Sequence, residues 1–267
     1  MTLSKDDLAL YDRQIRLWGL EAQQCIRQAI IMITGECLSG AAQECVKNLC
    51  LSGVQEIRLH VRGRQEGDAQ NVLFGSYEPE EVIAQAQLLN PSVKLVCTEG
   101  DWQGVQVVVH VGSLPEGAFA VNEEARKRGI KSLWMRVGGG KGFLLVDLGS
   151  QHDYRYEQKR LVDKESGTFE TLTHVGQVSF CPWEQAYRLH AERQPTEGKH
   201  RYSPVMAELA TNPQHLIAEE NAPVNAIMGA LASQEVIKAV TGKDCPIVNV
   251  VCFDGDTLEA RLFDLQQ

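Results

Sequence analysis

An apolar run, Ala29-Ile30-Ile31-Met32-Ile33-Thr34, leads into a turn that holds Gly35 and Gly40 and then into a helical stretch at 41–52. A short buried strand, a glycine-containing turn and a helix form the first half of a β-α-β unit, which commits the chain to parallel strand pairing. Further strands are predicted at 56–61, 93–97, 105–111 and 131–137, with helices near 80–89 and 118–128 between them. This alternation argues a Rossmann-like α/β fold, a mainly parallel sheet with helices on both faces. A chain of 267 residues suits one such domain.

The ends of the chain frame that unit. Ser4 with Asp7 three residues on marks a helix start, and Tyr11, Ile15, Trp18, Ala22 and Ile26 recur on one apolar stripe. Asp12, Arg13, Arg16 and Gln23 point elsewhere, and Gly19 weakens the run enough to split it. Beyond Val137, 143–148 and 172–180 are expected to pair as strands, linked by a very polar stretch at 151–170 that resembles a long hairpin or a mobile loop. Residues 185–220, with Pro195, Pro204, Pro213 and many charges, read as a small polar insertion within the single domain 1–267. Pro223 opens a patterned helix that Gly242 closes, and a hairpin turning at Asp254-Gly255-Asp256 completes a C-terminal antiparallel extension.

Several function classes are disfavoured. A formal charge of −9 argues against gripping nucleic acid through its phosphates. The start Met1-Thr2-Leu3-Ser4-Lys5-Asp6-Asp7 does not have the form of a secretion signal, and no apolar run approaches the ~18 residues of a membrane span. Eight cysteines form no CxxC pair, so zinc and disulfide frameworks lack their spacing and a reducing compartment, cytosol or nucleus, is expected. The seven histidines show no ligand spacing, and no metal is expected on this chain.

The glycine turn is the first candidate for chemistry, because backbone N–H groups at a helix N-terminus bind phosphate. A nucleotide turn needs a glycine between Gly35 and Gly40, where Cys37 and Leu38 stand and would crowd the approach. The acid that binds ribose at the end of the next strand is also missing from Arg58-Leu59-His60-Val61-Arg62, which disfavours an NAD(P)-dependent oxidoreductase. The turn therefore reads as vestigial. Gly138-Gly139-Gly140-Lys141-Gly142 reads as a flexible turn, and Cys181 as a small buried hydrophobe. Arg13 has the fork that suits phosphate oxygens, although spacing alone makes it a surface residue.

Tyr11-Asp12-Arg13-Gln14-Ile15-Arg16-Leu17-Trp18-Gly19-Leu20-Glu21-Ala22-Gln23 resembles, almost residue for residue, the N-terminal signature of the ubiquitin-activating enzyme family, and most nearly the smaller, non-thiol subunits of its SUMO-activating branch. The likeness continues through Lys47-Asn48-Leu49, Leu89-Asn90-Pro91, Phe180-Cys181-Pro182, Ala222-Pro223-Val224 and Gln234-Glu235-Val236-Ile237-Lys238-Ala239. It implies an adenylation-type, ThiF-like fold that forms heterodimers in which a larger, thiol-bearing partner binds ATP and Mg²⁺. A catalytic member has an Asp for Mg²⁺ near the position of Ser113, and an Arg and a Lys after the second strand. Gly67-Asp68-Ala69-Gln70-Asn71 lacks that Arg, and no lysine occurs between Lys47 and Lys94. The resemblance thus implies an accessory subunit that binds no cofactor alone, meets a ubiquitin-like modifier through the complex, and supplies Arg13 in trans to the ATP of its partner. It also implies residence in nucleus and cytoplasm. The alternatives are a stand-alone scaffold on a decayed adenylation fold and a NEDD8-activating regulatory subunit, the latter disfavoured because the chain has no room for a long inserted helical domain.

Overall fold

The structure, a computed structural model, describes residues 3–61, 72–112, 115–138, 140–163, 168–192 and 220–265. Three short helices open the chain: α1 (Lys5–Leu10), α2 (Asp12–Trp18) and α3 (Leu20–Ile26). Ser4 and Asp7 close the expected capping box, in which the Ser4 hydroxyl accepts from the Asp7 N–H and the Asp7 carboxylate accepts from the Ser4 N–H. Gly19 splits the stripe as expected, at φ +90°, a conformation that side chains rarely adopt. Gln23 departs from the expectation. It is fully buried, donating to the Ser52 carbonyl at 3.0 Å and accepting from the Trp18 indole at 3.1 Å.

The β-α-β unit follows as β1 (Ile30–Gly35), α4 (Gly40–Ser52) and β2 (Glu56–Val61). Then come α5 (Pro79–Leu89), β3 (Lys94–Cys97), β4 (Val107–Val111), α6 (Pro115–Lys127), β5 (Lys131–Gly138) and β6 (Lys141–Asp147). After the hairpin β7 (His152–Asp163) and β8 (Thr168–Val178), the chain continues through α7 (Trp183–Glu192), α8 (Ala222–Thr241), β9 (Val250–Asp254) and β10 (Glu259–Phe263).

The eight-stranded sheet has the order β10-β9-β6-β5-β4-β1-β2-β3. The five strands from β5 to β3 are parallel, and β6, β9 and β10 extend the sheet antiparallel. The larger core lies on the face covered by α4, α5 and α8, with Ile31, Ile33, Leu49 and Val236 among its members. On the other face Trp134, Phe143 and Trp183 pack beneath α6 and α7. Full burial of side chains of this size contributes about 1.5–3 kcal/mol each.

One expected pairing is corrected. The strand at 143–148 does not pair with 172–180; it is β6, held between β5 and β9 in the main sheet. The polar stretch after it is itself strand β7, paired with β8 in a separate two-stranded sheet. Of the expected insertion at 185–220, residues 185–192 belong to α7 and residues 193–219 lie outside the described residues. Among the described residues no helix is long and apolar enough to cross a membrane.

Candidate functional site

Two regions carry the residues that the sequence singles out. The first is the crevice where strand order reverses. From β1 the chain moves outward to β2 and β3, and from β4 to β5 on the other side, so the ends of β1 and β4 flank the place where open α/β sheets bind ligands. At Gly35 the two strands run so close that a Cβ would stand 1.9 Å from the Val111 carbonyl oxygen, which excludes any side chain. The expectation that Leu38 crowds the crevice is corrected: the side chain turns inward and is fully buried in the core. Cys37 is half-buried, and its thiol is pushed up to about 12, chiefly by burial and then by the charges of Glu220 and Glu36. A thiol so raised is not a nucleophile at neutral pH.

The N-terminus of α4, where a phosphate would bind, already holds a carboxylate. The Gly40 N–H donates to Oε1 of Glu220 at 3.0 Å, Asn225 Nδ2 donates to Oε2 at 2.6 Å, and the Tyr77 hydroxyl donates to Oε1 at 3.5 Å. Gly40 is required here, since a Cβ would meet Asn225 Nδ2 at 2.2 Å and Glu220 Oε2 at 2.9 Å. The next residue, Asn221, caps α8 by accepting from the Val224 N–H at 3.2 Å, which fixes where Glu220 leaves the backbone. Sequence reasoning missed Glu220, which stands 180 positions from Gly40.

Further along the strand ends, His110 is buried with Nδ1 unpartnered, and burial draws it down to about 4, so the imidazole is neutral. Arg136 is also buried with Nε and Nη2 unpartnered, and burial draws it down to about 10. Ser113 and residues 67–71 lie outside the described residues. Among the described residues no group of three His, Cys, Asp or Glu is placed to hold a metal ion.

The second region is the outer face of α2. Tyr11, at its start, is 1% exposed; its hydroxyl accepts from Asn90 Nδ2 at 2.9 Å, and the Arg27 guanidinium lies over its ring at 5.8 Å. Two residues on, Arg13 is exposed and makes no hydrogen bond or ion pair with any described residue. Leu17, one turn further along α2, and Leu10, at the end of α1, are 73% and 64% exposed, and Gln14 Nε2 donates to the carbonyl of the exposed Leu51 at 3.0 Å. Arg16, by contrast, pairs with Asp12 at 3.0 Å.

A cleft of about 330 Å³ lies elsewhere, between the α2–α3 junction, the β7–β8 hairpin and the end of α8. Its cations are engaged by its own acids, Lys243 with Glu157 at 3.7 Å and Arg155 with Glu21 at 4.0 Å.

No protein-family model matches the sequence. Over 96% of its length the chain is 28% identical to SUMO-activating enzyme subunit 1 of Xenopus laevis, of which it covers 94%. It is 27% identical to SUMO-activating enzyme subunit 1A of Arabidopsis thaliana, over 98% of this chain and 97% of that one. The first alignment spans 332 positions, more than the 267 residues of this chain, so the relative carries stretches absent here. Among solved structures, PaaA superposes on 99% of this chain and 75% of its own with a TM-score of 0.62 at 13% identity, a likeness of fold. The chain is thus similar along nearly its whole length to proteins named SUMO-activating enzyme subunit 1, and its fold is ThiF-like.

Proposed function

We propose that this chain is the accessory subunit of a heterodimeric SUMO-activating enzyme, one domain over 1–267, which supports ATP-dependent adenylation of a modifier's C-terminus by a larger, thiol-bearing partner. The observation that carries this reading is Arg13, an exposed guanidinium without a partner among the described residues, set between the exposed Leu10 and Leu17. Exposed leucines around an unpaired cation suit a surface that another protein covers.

In this reading the leucines dock on the catalytic subunit, and Arg13 reaches the phosphates of the ATP held there. As the modifier carboxylate attacks the α-phosphate, negative charge builds on the phosphate oxygens, and a guanidinium fork placed in advance stabilises it without reorganising. ATP and Mg²⁺ belong to the partner. Glu220, which takes the Gly40 N–H at the phosphate position of α4, supports that division. Nucleus and cytoplasm are the compartments that follow from this role.

The test is ATP:pyrophosphate exchange with the chain alone and then with the larger subunit and a SUMO-type modifier. Exchange by the mixture only supports the reading. Exchange by the chain alone overturns it, and a chain that neither binds the larger subunit nor stimulates exchange is a stand-alone scaffold.

A further inference from the structure

We infer that Glu220 closes this chain's own nucleotide crevice, its carboxylate occupying in cis the anion position at the N-terminus of α4. The inference stands on the geometry of the isolated chain and does not need the subunit role.

A helix N-terminus presents unpaired N–H groups and the positive end of the helix dipole, and an anion there is stabilised. In this fold the first β-α turn aims that end at the crevice, so whatever anion sits on Gly40 decides whether phosphate can enter. Glu220 is held there on both oxygens, by Gly40 and Tyr77 on Oε1 and by Asn225 on Oε2. Asn225 is 2% exposed and belongs to α8, which is packed on α4, so the donor that grips the carboxylate is rigidly placed. The absence of a Cβ at Gly40 leaves the room that the carboxylate and Asn225 fill.

A phosphate cannot share this position. It would need the Gly40 N–H that Glu220 uses, and it would bring negative charge against a carboxylate already beside it. Glu36, in the same turn, adds a second negative charge, and both acids act on the Cys37 thiol. The site keeps the architecture of an anion receptor while its occupant is part of the chain.

The experiment follows the Gly40 amide resonance of the full-length chain during titration with inorganic phosphate. The wild-type amide is expected to stay unmoved into the tens of millimolar, whereas Glu220→Ala produces a saturable shift at a phosphate concentration at least tenfold lower. Glu220→Gln keeps the shape of the cap and removes its charge, so it responds between the two and serves if the alanine variant does not fold. The inference is overturned if wild-type Gly40 responds as readily as the variants, or if both folded variants stay silent.

Discussion

The crevice at the end of β1 and the outer face of α2 treat charge in opposite ways. At the crevice the anion position is met from within: the Gly40 N–H by Glu220, and Glu220 in turn by Asn225 and Tyr77. On α2 the Arg13 guanidinium and the leucines beside it are left open, although Arg16, three residues on, finds Asp12. In the proposed reading the same α/β scaffold is closed where a nucleotide would enter and open where a partner would dock. Self-satisfaction argues for a structural role, and exposed leucines beside an open cation suit a surface that another protein covers.

That contrast predicts that mutations in the two regions separate activity from stability. The largest effect is expected from Arg13→Ala, which should lower adenylation by the reconstituted pair by about 10²-fold, the scale of losing one positioned electrostatic donor. The melting temperature of the chain should not move, because Arg13 makes no described contact. Unchanged pyrophosphate exchange would remove Arg13 from the mechanism. Next, Leu17→Asp should weaken binding of the larger subunit by about tenfold, the effect of about 1.4 kcal/mol, while the isolated chain unfolds at the same denaturant midpoint. Titration calorimetry measures the first and a urea melt the second.

The sealed region should behave the other way. Asn225→Ala removes a buried donor from the Glu220 carboxylate and should cost about 1–2 kcal/mol of stability, with exchange by the reconstituted pair unaltered. A loss of exchange without a loss of stability would reverse the assignment of the two regions. The smallest effect is a pH dependence. His110 is held neutral by burial, with its folded value near 4. Between that value and the ordinary histidine range the unfolded chain binds the extra proton, so stability is full above about pH 6.5 and falls as the pH drops. Lowering the pH from 7 to 5.5 should cost about 1 kcal/mol through His110, a slope that His110→Leu flattens in urea melts at the two pH values.

Much of the scaffold is legible in the chain because local signals and tertiary packing agree. The run at 29–34, its glycine turn and the Pro-to-Gly frame of α8 correspond to β1, the first β-α turn and a helix ending at Gly242. What is not legible is partnership over distance. Periodicity marks 143–148 as a strand but cannot say that it pairs with β5 and β9 rather than with the next strand along the chain. The stretch at 151–170 reads equally as a long hairpin or a mobile loop, because a two-stranded ribbon has little apolar face to show; it is the first of these, with Glu157, Gln158 and Thr171 exposed on the ribbon. Glu220 is harder still: an acid before a helix cap is ordinary, and only the fold brings it to Gly40. Arg13 is the reverse case: the role proposed for it comes from the motif around it, since an arginine on a helix surface carries no local sign of a use.

The anchorage of Tyr11 bears on how much freedom Arg13 has to lose. Because the tyrosine is pinned by Asn90 and stacked against Arg27, the backbone that carries Arg13 is ordered before any partner arrives. The conformational entropy of that helical turn is surrendered during folding, so at association only the rotamers of the arginine itself remain to be fixed, a loss of about 0.5–1.5 kcal/mol. An identical arginine on an unanchored N-terminal arm would have to order the arm as well. In the proposed complex, loosening Tyr11 would therefore weaken association from beneath, without touching the exposed groups assigned to the partner.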